Sequence, residues 1–348
     1  MNPYLGLDEI FFWSSAVAKK NMFDIERLWD PKFKVEKNQK ISTFGSCFAQ
    51  HIGKALVDKG FNFLVTEAAP SGLTEYNAQK LNYGLFTART GNIYTISLFQ
   101  QWINWALSES SPPDEVWEKD NRYIDPFRPT IEPNGFDSVD ELYQSREITL
   151  EAFKEALVSS NLMVLTLGLT ESWINDSDNY EYPICPGTLA GTFEKHHKFL
   201  NQDYTFIKKK LTESIQKIRD INPTINFILT VSPIPLTATM SGNHILSATT
   251  ESKSILRSVA GNISKKFDFV DYFPSYEIIN STPFRGSFFE PNQRNVNIVG
   301  VNHVMKIFFD SLSKKKYGAF EINAPFTNAI EHNRVCEEEL LNAFSKNK

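Results

Sequence analysis

The chain is poor in residues that staple, span or carry positive charge. Only three cysteines, Cys47, Cys185 and Cys336, occur in 348 residues. An odd number at wide spacing suggests neither a disulfide framework nor a CxxC metal site. Reduced thiols in a cytoplasmic protein are the simple expectation. No run of about 18 apolar residues occurs, so no membrane span is expected. The first residues include Asp8 and Glu9 and lack a continuous apolar stretch, so no signal peptide is read there. There are 36 Lys and Arg against 41 Asp and Glu, a net charge of −5. Non-specific nucleic-acid binding needs a basic face to displace counterions, so a nucleic-acid partner is disfavoured. No GxGxxG follows the first strand candidate, which argues against dinucleotide redox chemistry, and no cofactor is expected. His196 and His197 have no carboxylate at ligand spacing, so no metal site is expected. There is neither an internal repeat nor a low-complexity stretch.

What is present is an ordinary globular balance, 41% apolar and 22% charged, with 28 Phe to fill a large core. Residues 1–38 mix aromatics and charges without a steady period and read as an arm with a short helix. Residues 39–315 read as the main domain. Ile41 to Phe44 is a strand candidate ending at Gly45, Phe48 to Asp58 has a helical pattern, and Phe61 to Val65 is a second strand candidate. Helices are expected over 96–107, 150–159, 206–221, 249–266 and 298–312. The runs 162–167, 225–231 and 267–272 read as strands, the first two of them continuous apolar runs as in strands covered on both faces. Alternating β and α predicts an α/β fold, a three-layer α/β/α sandwich with a central parallel, flavodoxin-like sheet. Long loop insertions are expected at roughly 66–95, 109–148 and 174–204. Residues 316–348 read as a C-terminal extension, charged and helical after Pro325.

A small residue pair between strand and helix places a side chain at the carboxyl edge of the sheet. Gly45 permits the tight turn, and the first helical amides point at whatever sits there. Ser46 reads either as a nucleophile beside an oxyanion site or as a helix N-cap. Cys47 reads as a second nucleophile candidate or, preferably, as a small residue packed behind the turn.

The run Thr43-Phe44-Gly45-Ser46-Cys47-Phe48-Ala49 resembles the motif of the GSCFA family, a branch of the SGNH/GDSL hydrolase superfamily. Asn82-Tyr83-Gly84, Gly91 to Thr95, Thr166 to Trp173, Val231 to Leu236 and Asp271 to Glu277 resemble further family segments in family order. The resemblance spans approximately residues 40–312. It implies that Ser46 is the nucleophile and that Gly91, with Gly84 as a rival, supplies an oxyanion donor. Gly168-Leu169-Thr170-Glu171 stands where Gly-x-Asn-Asp would, so Thr170 would donate in place of the Asn. Thr170 and Glu171 can equally be a helix cap and a first-turn acid.

The last motif departs from the pattern. Residues 290–297 hold neither Asp nor His where many members carry Asp-x-x-His-Pro. His303 is the substitute base to test, or else a half-buried helix residue. His51, five residues past Ser46 on one helix, is too far along it for direct contact. His197 resembles a His-containing family stretch and is otherwise a loop residue; His244 and His332 have no supporting context. Tyr94, Gly168, Glu171, His197, Ser232 and Arg294 are the candidate binding residues. Arg294, like Arg285, can hold a carboxylate or phosphate or simply pair with Glu290 or Asp271. Tyr94, Trp173, Tyr272 and Tyr276 suit a sugar ring or the edges of a core. The resemblance implies a serine hydrolase acting on a small-molecule or glycan ester through an acyl-enzyme. The alternatives are an acyltransferase in glycan biosynthesis and a ligand-binding protein on a degenerate hydrolase scaffold.

Overall fold

The structure, a computed structural model, describes residues 2–314 and 336–345. In chain order it runs β1 (Ile41–Gly45), α1 (Phe48–Asp58), α2 (Glu75–Lys80) and α3 (Ile96–Ala106). Next come β2 (Trp117–Lys119), β3 (Arg122–Ile124), α4 (Val139–Ser159) and β4 (Leu162–Leu167). Then follow β5 (Glu171–Asn175), β6 (Tyr180–Tyr182), β7 (His197–Asn201), α5 (Tyr204–Ile221) and β8 (Asn226–Val231). The last are α6 (Ile245–Lys266), β9 (Val270–Tyr272), α7 (Ser275–Asn280) and α8 (Ile298–Lys314).

The central sheet is parallel, in the order β1-β4-β8-β9. β1 and β4 are buried at every residue, as strands covered on both faces must be. Alternate side chains go to opposite faces. Phe44, Met163, Leu165, Phe227 and Leu229 pack with residues of α3, α4, α5 and α6. Ile41, Leu162, Val164 and Ile228 pack with α1, α7 and α8. The chain is therefore the expected three-layer α/β/α sandwich. The N-terminal arm joins the second face: Ile25, Trp29 and Val35 are buried there, and the Trp29 ring stacks 5.3 Å from that of Phe308.

Phe61 to Val65 does not form a full strand. It makes one parallel bridge, Phe63 to Ile41, through Ile41 N to Asn62 O at 2.9 Å and Leu64 N to Ile41 O at 2.8 Å. At the sheet edge such a segment pairs on one side only. The bridge still sets the topology, since it lies on the far side of β1 from β4. Strand order reverses between β1 and β4, and in open α/β sheets ligands bind at the carboxyl ends of the strands flanking that reversal.

The insertions carry structure of their own. Residues 109–148 hold the β2–β3 hairpin and the start of α4, which begins at Val139, about three turns earlier than expected. Buried Asp125 fixes this region by pairing with Arg128 at 2.8 Å and Arg146 at 2.9 Å. The third insertion is an antiparallel sheet, β6-β5-β7, so Glu171 opens a strand and not a helix. Of the C-terminal extension, Glu337–Phe344 is a 3₁₀ helix; residues 315–335 and 346–348 lie outside the described residues.

Candidate active site

Gly45 ends β1 with φ +123°, a conformation open to glycine. A Cβ there would lie 2.1 Å from the Thr166 carbonyl oxygen. The turn therefore presses against β4, and the Ser46 amide donates to Thr166 O at 3.2 Å. Ser46 is 2% exposed, and its Oγ has no hydrogen-bond partner. Cys47 occupies the cap position of α1, and no side chain caps that helix. Helix capping therefore does not explain Ser46. An unsatisfied buried hydroxyl costs about 1–3 kcal/mol, a cost that calls for an explanation.

Backbone contacts close two more segments around this turn. Ile93 N donates to Gly45 O at 2.8 Å, and Gly168 and Leu169 amides both donate to Tyr94 O, at 3.2 and 3.1 Å. A Cβ on Gly168 would lie 2.7 Å from Tyr94 O and 3.1 Å from Ser46 Cβ. Gly168 is thus the residue that lets the 91–94 loop and the end of β4 meet at Ser46. Gly91 is buried in this loop, whereas its rival Gly84 is an exposed turn.

Several candidates from the sequence sit elsewhere or are already engaged. Thr170 donates its hydroxyl proton to Asn201 Oδ1 at 2.7 Å, so that proton is committed to the β5–β7 sheet. His303 packs against Phe23, Phe284 and Phe288, and its Nε2 has no partner. It makes no hydrogen bond to Ser46, whose hydroxyl has none. Burial pushes the His303 pKa down, as befits a neutral ring among phenylalanines. His197 is in strand β7 rather than a loop. Its Nδ1 accepts from Glu194 N at 3.0 Å, which leaves Nε2 as the protonated nitrogen facing Tyr182 OH at 3.3 Å. Ser232 donates its amide to Leu167 O at 2.8 Å and is buried at the end of β8. Tyr272 donates its hydroxyl proton to Glu277 at 2.7 Å.

Where the last motif should supply a base, the structure supplies a cation. Arg294 pairs with neither Glu290 nor Asp271 but with Glu338 and Glu339, each at 3.4 Å. Burial opposes its charge, yet the Glu338 carboxylate outweighs burial and raises its pKa.

Five residues not singled out from sequence complete the site: Asn92, Lys253, Cys336, Glu337 and Glu338. Glu337, 2% exposed, accepts from Tyr94 OH at 2.7 Å, from Thr130 Oγ1 at 2.7 Å and from Asn92 Nδ2. Glu338 accepts from Thr237 N at 3.0 Å. The Tyr94 hydroxyl also lies 3.9 Å from Cys336 Sγ. Lys253 is 2% exposed and donates to Gly168 O at 2.5 Å. Burial brings its pKa down to about 8, against the pull of Glu338. Its sequence signal was a lysine in the buried stripe of α6, among Ala248, Ser252, Leu256 and Val259.

A pocket of about 690 Å³ opens beside this cluster. Leu169, Trp173, Phe193, Phe199, Met240 and Phe344 make most of its apolar wall, and Glu171, Thr239 and Glu338 lie on it. Burial raises the Glu171 pKa, while the Thr239 hydroxyl donates to it. Among the described residues no helix is long and apolar enough to cross a membrane.

The GSCFA family profile matches residues 40–308. The chain belongs to the GSCFA family. The match contains Ser46, Gly91, Gly168, Lys253 and Arg294, while Cys336, Glu337 and Glu338 fall beyond it. No curated protein sequence matches the GSCFA chain. Among solved structures it is similar to a family 3 carbohydrate esterase of Clostridium thermocellum, at 11% identity and a TM-score of 0.28, over 80% of this chain and 99% of that one.

Proposed function

We propose that this GSCFA protein is a serine acyl hydrolase that takes an ester of a small molecule or glycan through an acyl-enzyme on Ser46. The observation that carries this reading is the Ser46 hydroxyl, buried and without a partner, at the strand reversal where α/β sheets bind ligands. A nucleophile must keep its hydroxyl out of permanent hydrogen bonds that do not serve the reaction, and this one is out of them. Ser46 attacks the ester carbonyl, the alcohol leaves, and water releases the acyl group. The Ser46, Ala49 and Gln50 amides are already bonded to Thr166 O, Ser46 O and Cys47 O, so in this reading the Cys47 and Phe48 amides at the start of α1 serve the oxyanion. The adjacent pocket takes the apolar part of the acyl group.

Lys253 fills the place of the missing histidine in this reading. Its amine is held at the carbonyl of Gly168, the residue packed against Ser46. With a pKa near 8, a large fraction is neutral in mildly alkaline solution and able to accept the serine proton. The second reading, transfer of the acyl group to a hydroxyl acceptor, draws on the same burial of Ser46, which keeps bulk water from the turn in the closed state.

The test is turnover of p-nitrophenyl esters of graded chain length, with and without a sugar acceptor. Wild type should release nitrophenol and Ser46→Ala should not, a loss of about 10³-fold or more. Acyl-sugar product would select the transferase. Equal rates in wild type and Ser46→Ala would overturn the serine mechanism and favour a binding scaffold.

A further inference from the structure

Glu337 comes from beyond the family-matched region, which ends at residue 308, yet its carboxylate is buried in a cradle built wholly within that region. Both carboxylate oxygens are held. Oε2 accepts from Tyr94 OH at 2.7 Å and from Asn92 Nδ2, and Oε1 accepts from Thr130 Oγ1 at 2.7 Å. Asn92 is oriented in advance for this contact. Gln50 Nε2 donates to Asn92 Oδ1 at 2.9 Å, which turns the Asn92 NH2 toward the carboxylate. Gln50 lies on α1, the helix that follows Ser46. Ile93, between Asn92 and Tyr94, donates its amide to Gly45 O, and Tyr94 O receives the Gly168 amide. The cradle is thus part of the same packing that surrounds the Ser46 turn.

Buried Asp125, which fastens the fold, meets two cations, Arg128 and Arg146. Glu337 meets three neutral donors, which hold a carboxylate without the Coulombic attraction of an ion pair. Further along the segment, Glu338, Leu341 and Phe344 line the apolar pocket. The segment therefore fills a polar and an apolar part of the site together, as a bound ligand does. We propose that Asn92, Tyr94 and Thr130 form a carboxylate subsite of the Ser46 site, that Glu337 fills it as a tethered stand-in, and that the substrate ester carries a carboxylate which takes its place. That the ligand is a substrate rests on the Ser46 reading; that it is a carboxylate rests on the cradle alone. The carboxylate belongs to the sugar, as in a uronic acid, or to the acyl group, as in a dicarboxylic half-ester. A neutral ester leaves Glu337 in place and the segment over the pocket.

The experiment titrates the full chain with sodium glucuronate, sodium succinate and, as the neutral control, glucose, by calorimetry. Glu337→Ala, its fold checked by circular dichroism, empties the cradle. It should bind at least one acid about tenfold or more tightly than wild type does, with glucose unchanged, since hydrogen bonds to a charged group are gained. Adding Thr130→Val should take back roughly tenfold of that affinity. Preference for glucuronate places the carboxylate on the sugar, and preference for succinate places it on the acyl group. In wild type the preferred acid should also speed amide exchange over residues 336–344, a readout that needs no variant. Acids that bind Glu337→Ala no better than wild type, a gain that Thr130→Val leaves untouched, or wild-type exchange that no acid alters would overturn the proposal. Binding should persist in Ser46→Ala. If it does while ester turnover is equal with and without Ser46, the subsite stands and the serine reading fails; if Ser46 labels and no acid binds, the subsite alone fails.

Discussion

The two walls of the site are built by different means. At the carboxyl ends of β1 and β4, backbone lies against backbone: Gly45 on Thr166, Gly168 on Tyr94, with Ser46 between them. On the opposite side, side chains from loops distant in sequence converge on the C-terminal segment: Asn92, Tyr94, Thr130, Thr237 and Arg294. The first wall leaves no room for a Cβ, so its shape is steric and tolerates little change. The second is held by carboxylates and hydrogen-bond donors, so it can open, and it responds to pH and salt. A nucleophile on a rigid wall beneath a polar, separable one is an arrangement in which access, rather than position, is adjustable.

The largest effect should come from the rigid wall. Gly45→Ala combines a left-handed φ with a 2.1 Å approach to Thr166 O, and is expected to cost about 3 kcal/mol or more in denaturant unfolding. A stable Gly45→Ala protein with normal Ser46 reactivity would erase the distinction between the walls. On the polar wall, Glu337→Ala leaves three donors without their acceptor. It should release the segment by about 2 kcal/mol, read as faster amide exchange over residues 336–344 with an unchanged global unfolding midpoint. If the whole domain loosens, the segment is instead part of the rigid core.

Smaller effects sharpen the contrast. His303→Ala should cost about 1–3 kcal/mol as a packing loss and leave Ser46 labelling unchanged; loss of labelling without loss of stability would make His303 the base. The His303 pKa is lowered in the fold, so the unfolded chain binds more protons below its usual value near 6.5. Stability from this group is present above that value and declines as pH falls through it. Lys253 has the same sign at higher pH. Its folded pKa of about 8 lies below the unfolded 10.5, so stability rises with pH across that window in wild type, and the rise should vanish in Lys253→Met.

The steric wall was largely legible in the sequence, because it is local. Gly45-Ser46 follows a strand and precedes a helix, and Gly168 ends the apolar run Leu162–Leu167. The parallel sheet was legible for the same reason, through continuous apolar runs separated by amphipathic helices. The polar wall was not. Asn92 and Glu337 meet across 245 residues, and nothing near either one announces the other. Thr170 looked like a substitute donor because hydroxyl chemistry can be read from sequence, whereas its commitment to Asn201 cannot. Phe61–Val65 had the composition of a strand, but with a partner on one side it kept only a bridge. In sequence Arg294 suits either an anion or an ion pair with Glu290 or Asp271; it is in ion pairs, but with Glu338 and Glu339, which lie too far along the chain to be matched to it.

The most direct test of the central claim is covalent labelling by a fluorophosphonate across pH, mapped by peptide mass in wild type, Ser46→Ala and Lys253→Met. The account predicts one adduct, on Ser46, forming at a rate that climbs and levels as pH passes about 8, abolished in Ser46→Ala and slowed by about 10²-fold or more in Lys253→Met. Folded, reduced protein that takes no label at Ser46 at any pH, or that labels equally well without Lys253, would contradict it.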